Sequence, residues 1–207
     1  MKTTTKTQRT RHRNPKKTIA DLKNAAVRIL KTKGITQLST RQLLAELDVS
    51  SGALFHHFPT KNHLIAAALE EIFNELTERI RSLSKKACSG QCSKIEVVEG
   101  MYDTIIDSVF YGLMEVAMTV RSEPELAKLI APSVKHWRQV LADFWNDTFF
   151  LSDFNKKDSD IHWVMATNML RGQALASSFG SSPIDRKEFC VYFSELMLSK
   201  AIIRKIM

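Results

Sequence analysis

The stretch from Leu38 to Lys61, LSTRQLLAELDVSSGALFHHFPTK, leaves little freedom in how it folds. Ser39 can cap a helix, with Gln42 three residues on to complete a capping box and Leu38 and Leu43 at the staple positions. Leu43, Leu44 and Leu47 give that helix one apolar face. Asp48-Val49-Ser50 makes a turn, and Ser50 can cap a second helix from Ser51 to about Phe58, with Val49 and Leu54 as its staple pair. Pro59-Thr60 stops this helix, and Thr60 is placed to cap a third. Two short helices crossing through so tight a turn form a helix-turn-helix, whose second helix can enter a DNA major groove.

These residues also resemble a known pattern. Gly34-Ile35 to Thr40, Leu43-Leu44-Ala45, Val49-Ser50-Ser51-Gly52, Ala53 to Phe58 and Lys61 to Leu64 follow the motifs of the TetR family of bacterial transcriptional regulators. At motif level the resemblance covers residues 18 to 70; beyond that it rests on length and helix pattern. Two positions depart from it. Phe55 stands where the family usually has tyrosine, and Asp48 where it usually has a turn glycine. Aspartate tolerates the left-handed conformation better than most residues.

A chain of 207 residues with 44% hydrophobic and 25% charged content suits a globular protein with a real core. With seven glycines, five prolines and apolar spacings of three and four, the expected class is all-α. No apolar run reaches the length of a membrane span, and the charged N-terminus lacks the apolar segment of a secretory signal. Cys88, Cys92 and Cys190 form no framework, which suits a cytoplasmic protein. The net charge of +8 sits almost wholly in residues 1–17, which hold seven cations and no acid, leaving 23 cations against all 22 acids. An arm carrying Arg11 and Arg13 ahead of a helix-turn-helix can follow phosphates or enter the minor groove, or simply be solvated.

Along the chain, Thr18 with Asp21 is expected to open the first helix, and Gly34 to end it. A long helix follows from Lys61 to about Lys86. Ser93 with Glu96 opens another, expected to run unbroken to Arg121 and to be apolar nearly all round. A short helix from Ser122 is expected to end before Pro132, with the next running from Pro132 to about Phe150. Ser152 to Asp158 reads as a loop. The last two helices are expected at residues 159–179 and 184–205, with apolar residues on more than one face of each.

By the resemblance, Thr40 donates to a phosphate, and Arg41 reaches either a guanine edge or a phosphate. Ser51, Gly52 and Ala53 let the recognition helix approach closely, with Ala53 against a thymine methyl. Leu54 points to the core. Phe55 retains stacking or methyl contact, and His56 meets the backbone. His57 either does the same or packs between helices. Lys61 binds phosphate at a helix N-terminus.

The resemblance further implies domains at 18–64 (DNA binding) and 65–207 (effector binding and dimerisation), after the arm at 1–17. The last two helices would pair with their mates across a two-fold axis. Met101, Tyr102, Ile105, Phe110, Met114, Met118, Trp137, Leu141, Trp145, Met165 and Met169 are candidates to line an effector pocket, each also a candidate for plain core. Asn168 and Arg171 are polar residues in an apolar helix that could orient a ligand or bond across the dimer. No phosphate loop, nucleophile elbow or metal-ligand pattern occurs; Cys88-x₃-Cys92 is a poor metal site, and neither catalysis, a metal nor a cofactor is expected. The expectation is a homodimeric repressor, released from a palindromic operator by a small apolar or amphipathic ligand. A corepressor-type regulator and an effector-independent nucleoid protein are the rival readings.

Overall fold

The computed structural model describes residues 15–106, 109–151, 154–180 and 184–205, apart from the side chains at 106, 109, 110 and 178. Its first unit is α1 (Pro15–Lys33), α2 (Thr40–Leu47) and α3 (Ser51–His57). The capping chemistry sits where the sequence placed it. Ser39 accepts from the amide of Gln42 at 3.4 Å, Ser50 from that of Ala53 at 3.2 Å, and Thr60 from that of His63 at 3.4 Å. Asp48 holds the left-handed conformation, φ 51°, as the turn requires. Gly34, at φ 78°, ends α1. Leu22, Leu30, Leu38, Leu43, Leu54 and Leu64 interlock beneath the three helices, all essentially buried.

One cap is corrected. α1 starts at Pro15, whose fixed φ and missing N–H suit a first helical position. Thr18 lies a turn inside and is buried, so Thr18 and Asp21 do not open the helix.

The 28-residue α4 (Lys61–Cys88) belongs to both units. Its early turns pack on α1, and its length is pressed against α7 (Pro124–Thr148), with α5 (Lys94–Ile106) beside it. Ser93 and Glu96 make the expected reciprocal box: the Ser93 amide donates to Glu96 Oε2 at 2.7 Å, and the Glu96 amide to Ser93 Oγ at 3.3 Å. These bonds hold the Glu96 carboxyl below the usual carboxylate range.

The stretch expected as a single helix from Ser93 to Arg121 is helical over α5 and α6 (Val109–Thr119), with residues 107 and 108 between them outside the described ones. They have different neighbours: α5 packs on α4 and on α9 (Arg186–Leu198), whereas α6 packs on α1. The break expected at Pro132 does not occur. Pro132 lies inside α7, because Leu126 and Ile130 before it and Trp137, Val140 and Leu141 after it are all buried by one continuous face. That packing outweighs the hydrogen bond a proline forfeits.

The chain's last helices also differ. α8 (Lys156–Ser178) starts three residues earlier than expected, capped by Asn155 Oδ1, which accepts from the Asp158 amide at 2.9 Å. α9 stops at Leu198. The expected continuation to residue 205 instead gives β2 (Ala201–Ile203), antiparallel to β1 (Phe149–Leu151), with Phe150 opposite Ile202. The fold is otherwise all-α. None of its described helices is long and apolar enough to cross a membrane.

Candidate nucleic-acid interface and effector cavity

The outer surface of the three-helix unit carries the residues the sequence singled out. Arg41, Ser51, Gly52, His56 and Lys61 are exposed, while Thr40, Ala53 and His57 are partly so. Phe55 is 43% exposed although it is aromatic, and its neighbour Leu54 is 1% exposed. The helix therefore turns its leucine inward and its phenylalanine to water. A Cβ at Gly52 would meet nothing within 4 Å, so the fold itself does not demand glycine there. The missing side chain leaves the outer surface of α3 bare at that point. The His57 ring meets His56 edge-on at 5.0 Å. Arg11 and Arg13 lie outside the described residues.

Charge on this unit divides into two groups. Lys23 pairs with Glu71 at 2.9 Å, Lys31 with Glu75, and Arg28 with Glu46, which ties α1 to α4 and α2. Arg41 and Lys61 pair with no acid among the described residues. Cations left unneutralised at helix starts are the type that phosphate contacts require.

The second feature is a half-open cavity of about 500 Å³ lined by α4, α5, α6, α7 and α8. Leu69, Phe73 and Leu76 of α4 form its floor, Leu113, Met114, Val116 and Ala117 come from α6, and Val120 from the turn after it. Ile130, Val134 and Trp137 close the α7 side, where Trp137 stacks on Phe73 with ring centres 5.9 Å apart and planes 19° apart. Ala127, Ala131 and Arg138 of α7, Thr104 and Ile105 of α5 and Arg171 of α8 complete the lining.

Among the residues expected here, Ile105, Met114 and Trp137 line the cavity. Met101, Tyr102, Leu141 and Trp145 take the other of the two roles open to them and are buried core away from this lining. Met118 and Met165, 60% and 56% exposed, lie on the outside, as does Asn168. Met169 is partly buried against the core without reaching the lining. Phe110 has its side chain outside the described residues. The α4 contribution was missed because Leu69, Phe73 and Leu76 look the same in sequence whether they face another helix or a void. Arg138 was missed because an arginine after a tryptophan carries no signal of its own.

The cavity and the three-helix unit share one wall. Gly112 on α6 lies so close to the end of α1 that a Cβ there would stand 2.4 Å from the Leu30 carbonyl oxygen. One turn on, Glu115 Oε2 accepts from the backbone amide of Ile35 at 2.9 Å, just past the α1 terminus. The same carboxylate fills the space beside Gly34, where a Cβ would stand 2.1 Å from it. Asn62, at the start of α4, donates to Glu125 at the start of α7 at 2.9 Å. The signal for Glu115 was present in sequence, as the one acid in the apolar run Val109–Thr119.

Residues 22–68 match the family described as bacterial regulatory proteins, tetR family. The HTH-type transcriptional regulator CymR of Pseudomonas putida is 27% identical over 171 residues, which is 82% of this chain and 84% of that protein. The fold is shared with the multidrug binding protein EbrR complexed with ethidium, at TM-score 0.63 and 19% identity over 89% of this chain and 98% of that one. It is shared as well with a transcriptional regulator from Rhodococcus sp. Rha1, at TM-score 0.62 and 17% identity over 87% and 94%.

Proposed function

We propose that this chain, a transcriptional regulator of the TetR family, is a homodimeric repressor that leaves a palindromic operator when a small molecule fills the α4–α8 cavity. One observation carries this reading. α6, which supplies four residues of the cavity lining, also supplies Gly112 and Glu115, which seat the end of α1. A ligand that repositions α6 therefore acts directly on the support of the recognition helix. A ligand shifts such an equilibrium only through its different affinity for the two arrangements. That EbrR has been crystallised with ethidium and with imidazole gives a precedent for small-molecule binding on this fold. The exposed apolar residues Ile161, Val164, Met165 and Leu175 of α8, Phe179 capping its C-terminus and Leu196 of α9 support pairing of the last helices across a two-fold axis.

The reader's surface acts through Thr40, Arg41, Ser51, Gly52, Ala53, Phe55, His56, His57 and Lys61, with the basic arm alongside. Footprinting of purified protein on the DNA flanking its own gene tests the proposal. The expected result is one palindromic footprint with half-sites about one helical turn apart and an affinity that falls steeply with salt. Uniform protection of any DNA would favour the nucleoid-protein reading instead. Tighter binding on adding ligand would reverse the sign to a corepressor.

A further inference from the structure

The cavity is apolar except at one place. Its described lining residues are hydrophobic apart from Thr104, Arg138 and Arg171, so both ionisable groups are arginines and no acid faces them. Arg171 is half-buried, and its only hydrogen bond among the described residues is to Asn168 Oδ1 at 3.3 Å. Arg138 has no ion-pair partner among them. Burial first, and then the charge of Arg138, lowers the pKa of the Arg171 guanidinium from its usual value. Two cations repelling each other at an apolar wall is an arrangement that an anion relieves. A guanidinium fork matches a carboxylate through two parallel hydrogen bonds. Free phosphate would satisfy the charge but leave most of a 500 Å³ apolar space with nothing to bury. The stacked Phe73 and Trp137 offer a broad flat surface for an apolar body.

We propose that the cavity takes a small carboxylic acid with an apolar body, its carboxylate held by Arg171 and Arg138 and its body against Phe73 and Trp137. This assignment rests on the reading of the cavity as the effector site and specifies the class of effector.

The test titrates the full-length protein calorimetrically with naphthalene-2-carboxylate and decanoate, each beside its neutral carboxamide. The expected result is saturable binding of an acid at least roughly tenfold tighter than its amide, as a charge-assisted pair should give. Arg171→Gln should lose about that factor for the acid and leave the amide unaffected, and Arg171→Lys should recover part of it. If Arg171→Gln does not fold, Arg138→Gln is read in the same way. Equal affinity for acid and amide overturns the proposal, as does failure of both acids to bind at millimolar concentration. An acid bound equally well by a folded Arg→Gln variant overturns it too. Release of the footprinted DNA, followed in parallel, separates the two readings. An acid that binds through the arginines without releasing DNA upholds this assignment and sinks ligand control. A neutral or cationic compound that releases DNA while neither acid binds upholds ligand control and overturns this assignment.

Discussion

Gly112 of α6 faces the carbonyl oxygen of Leu30 so closely that even a methyl group at residue 112 would come within 2.4 Å of it. The obstacle is backbone, which cannot swing aside as a side chain can. Gly112→Ala should therefore push α6 away from α1 and destabilise the fold by about 1–3 kcal/mol, the usual cost of overpacking. Denaturant unfolding checks this, and an unchanged midpoint would mean that the two helices slide apart freely.

Glu115→Ala removes the acceptor of the Ile35 amide. The expected loss of stability is about 1 kcal/mol, since one backbone donor next to a buried side chain loses its partner. Glu115→Gln keeps an acceptor and should lose less. In both variants DNA release should require more ligand, because the link between cavity and α1 is loosened. Release titrations that superimpose on the parent's would show that the signal travels another way.

Arg41→Ala and Lys61→Ala separate sequence reading from charge. Loss of a bidentate base contact should relax base preference at one operator position by about 1–3 kcal/mol. Loss of the Lys61 charge should weaken all sequences alike and reduce the salt slope by about one ion. Binding measured on operator and scrambled DNA over a salt series decides it. Identical behaviour of the two variants would reduce Arg41 to a phosphate contact.

Leu196→Glu and Met165→Glu place a charge on α9 and α8, at side chains 68% and 56% exposed in the single chain. Sedimentation should show monomers that keep their helical content but bind the palindrome weakly. A dimer undisturbed by both substitutions would move the interface elsewhere.

The cysteines should differ in reactivity. Burial lifts the Cys190 thiol to about 11, so almost no thiolate exists there at neutral pH. Cys88 is also buried, and its thiol points to the Asp147 carbonyl at 3.7 Å, whereas Cys92 is only partly covered. A thiol reagent should modify one cysteine quickly in native protein and all three after denaturation. Rapid native modification of Cys190 would contradict the packing of α5 against α9.

What could be read in the sequence was whatever is settled within a few residues. Ser39, Ser50 and Thr60 cap because a hydroxyl three residues before a free amide is a local matter, and Asp48 turns for the same reason. Pro132 misled because its local cost is real but is overruled by a face extending over the whole of α7. The β1–β2 pair escaped because its strands are three residues long and some fifty residues apart, and Ala201-Ile-Ile continues an apolar helical pattern. The exposed sites on α2 and α3 were legible through resemblance. The cavity was not, since a void is a property of five helices at once. Only packing separates Leu69 and Phe73, which line it, from Leu141 and Trp145, which do not.

The small ribbon has a mechanical consequence. β1 leaves the foot of α7, the chain travels out along α8 and back along α9, and β2 returns to β1; the Arg204 amide donates to Thr148 and its Nε to Asn146, both at 2.9 Å. The start of α8 and the end of α9 are thus tied to one point at the foot of α7, so whatever displaces either helix at that end also loads the same two short strands.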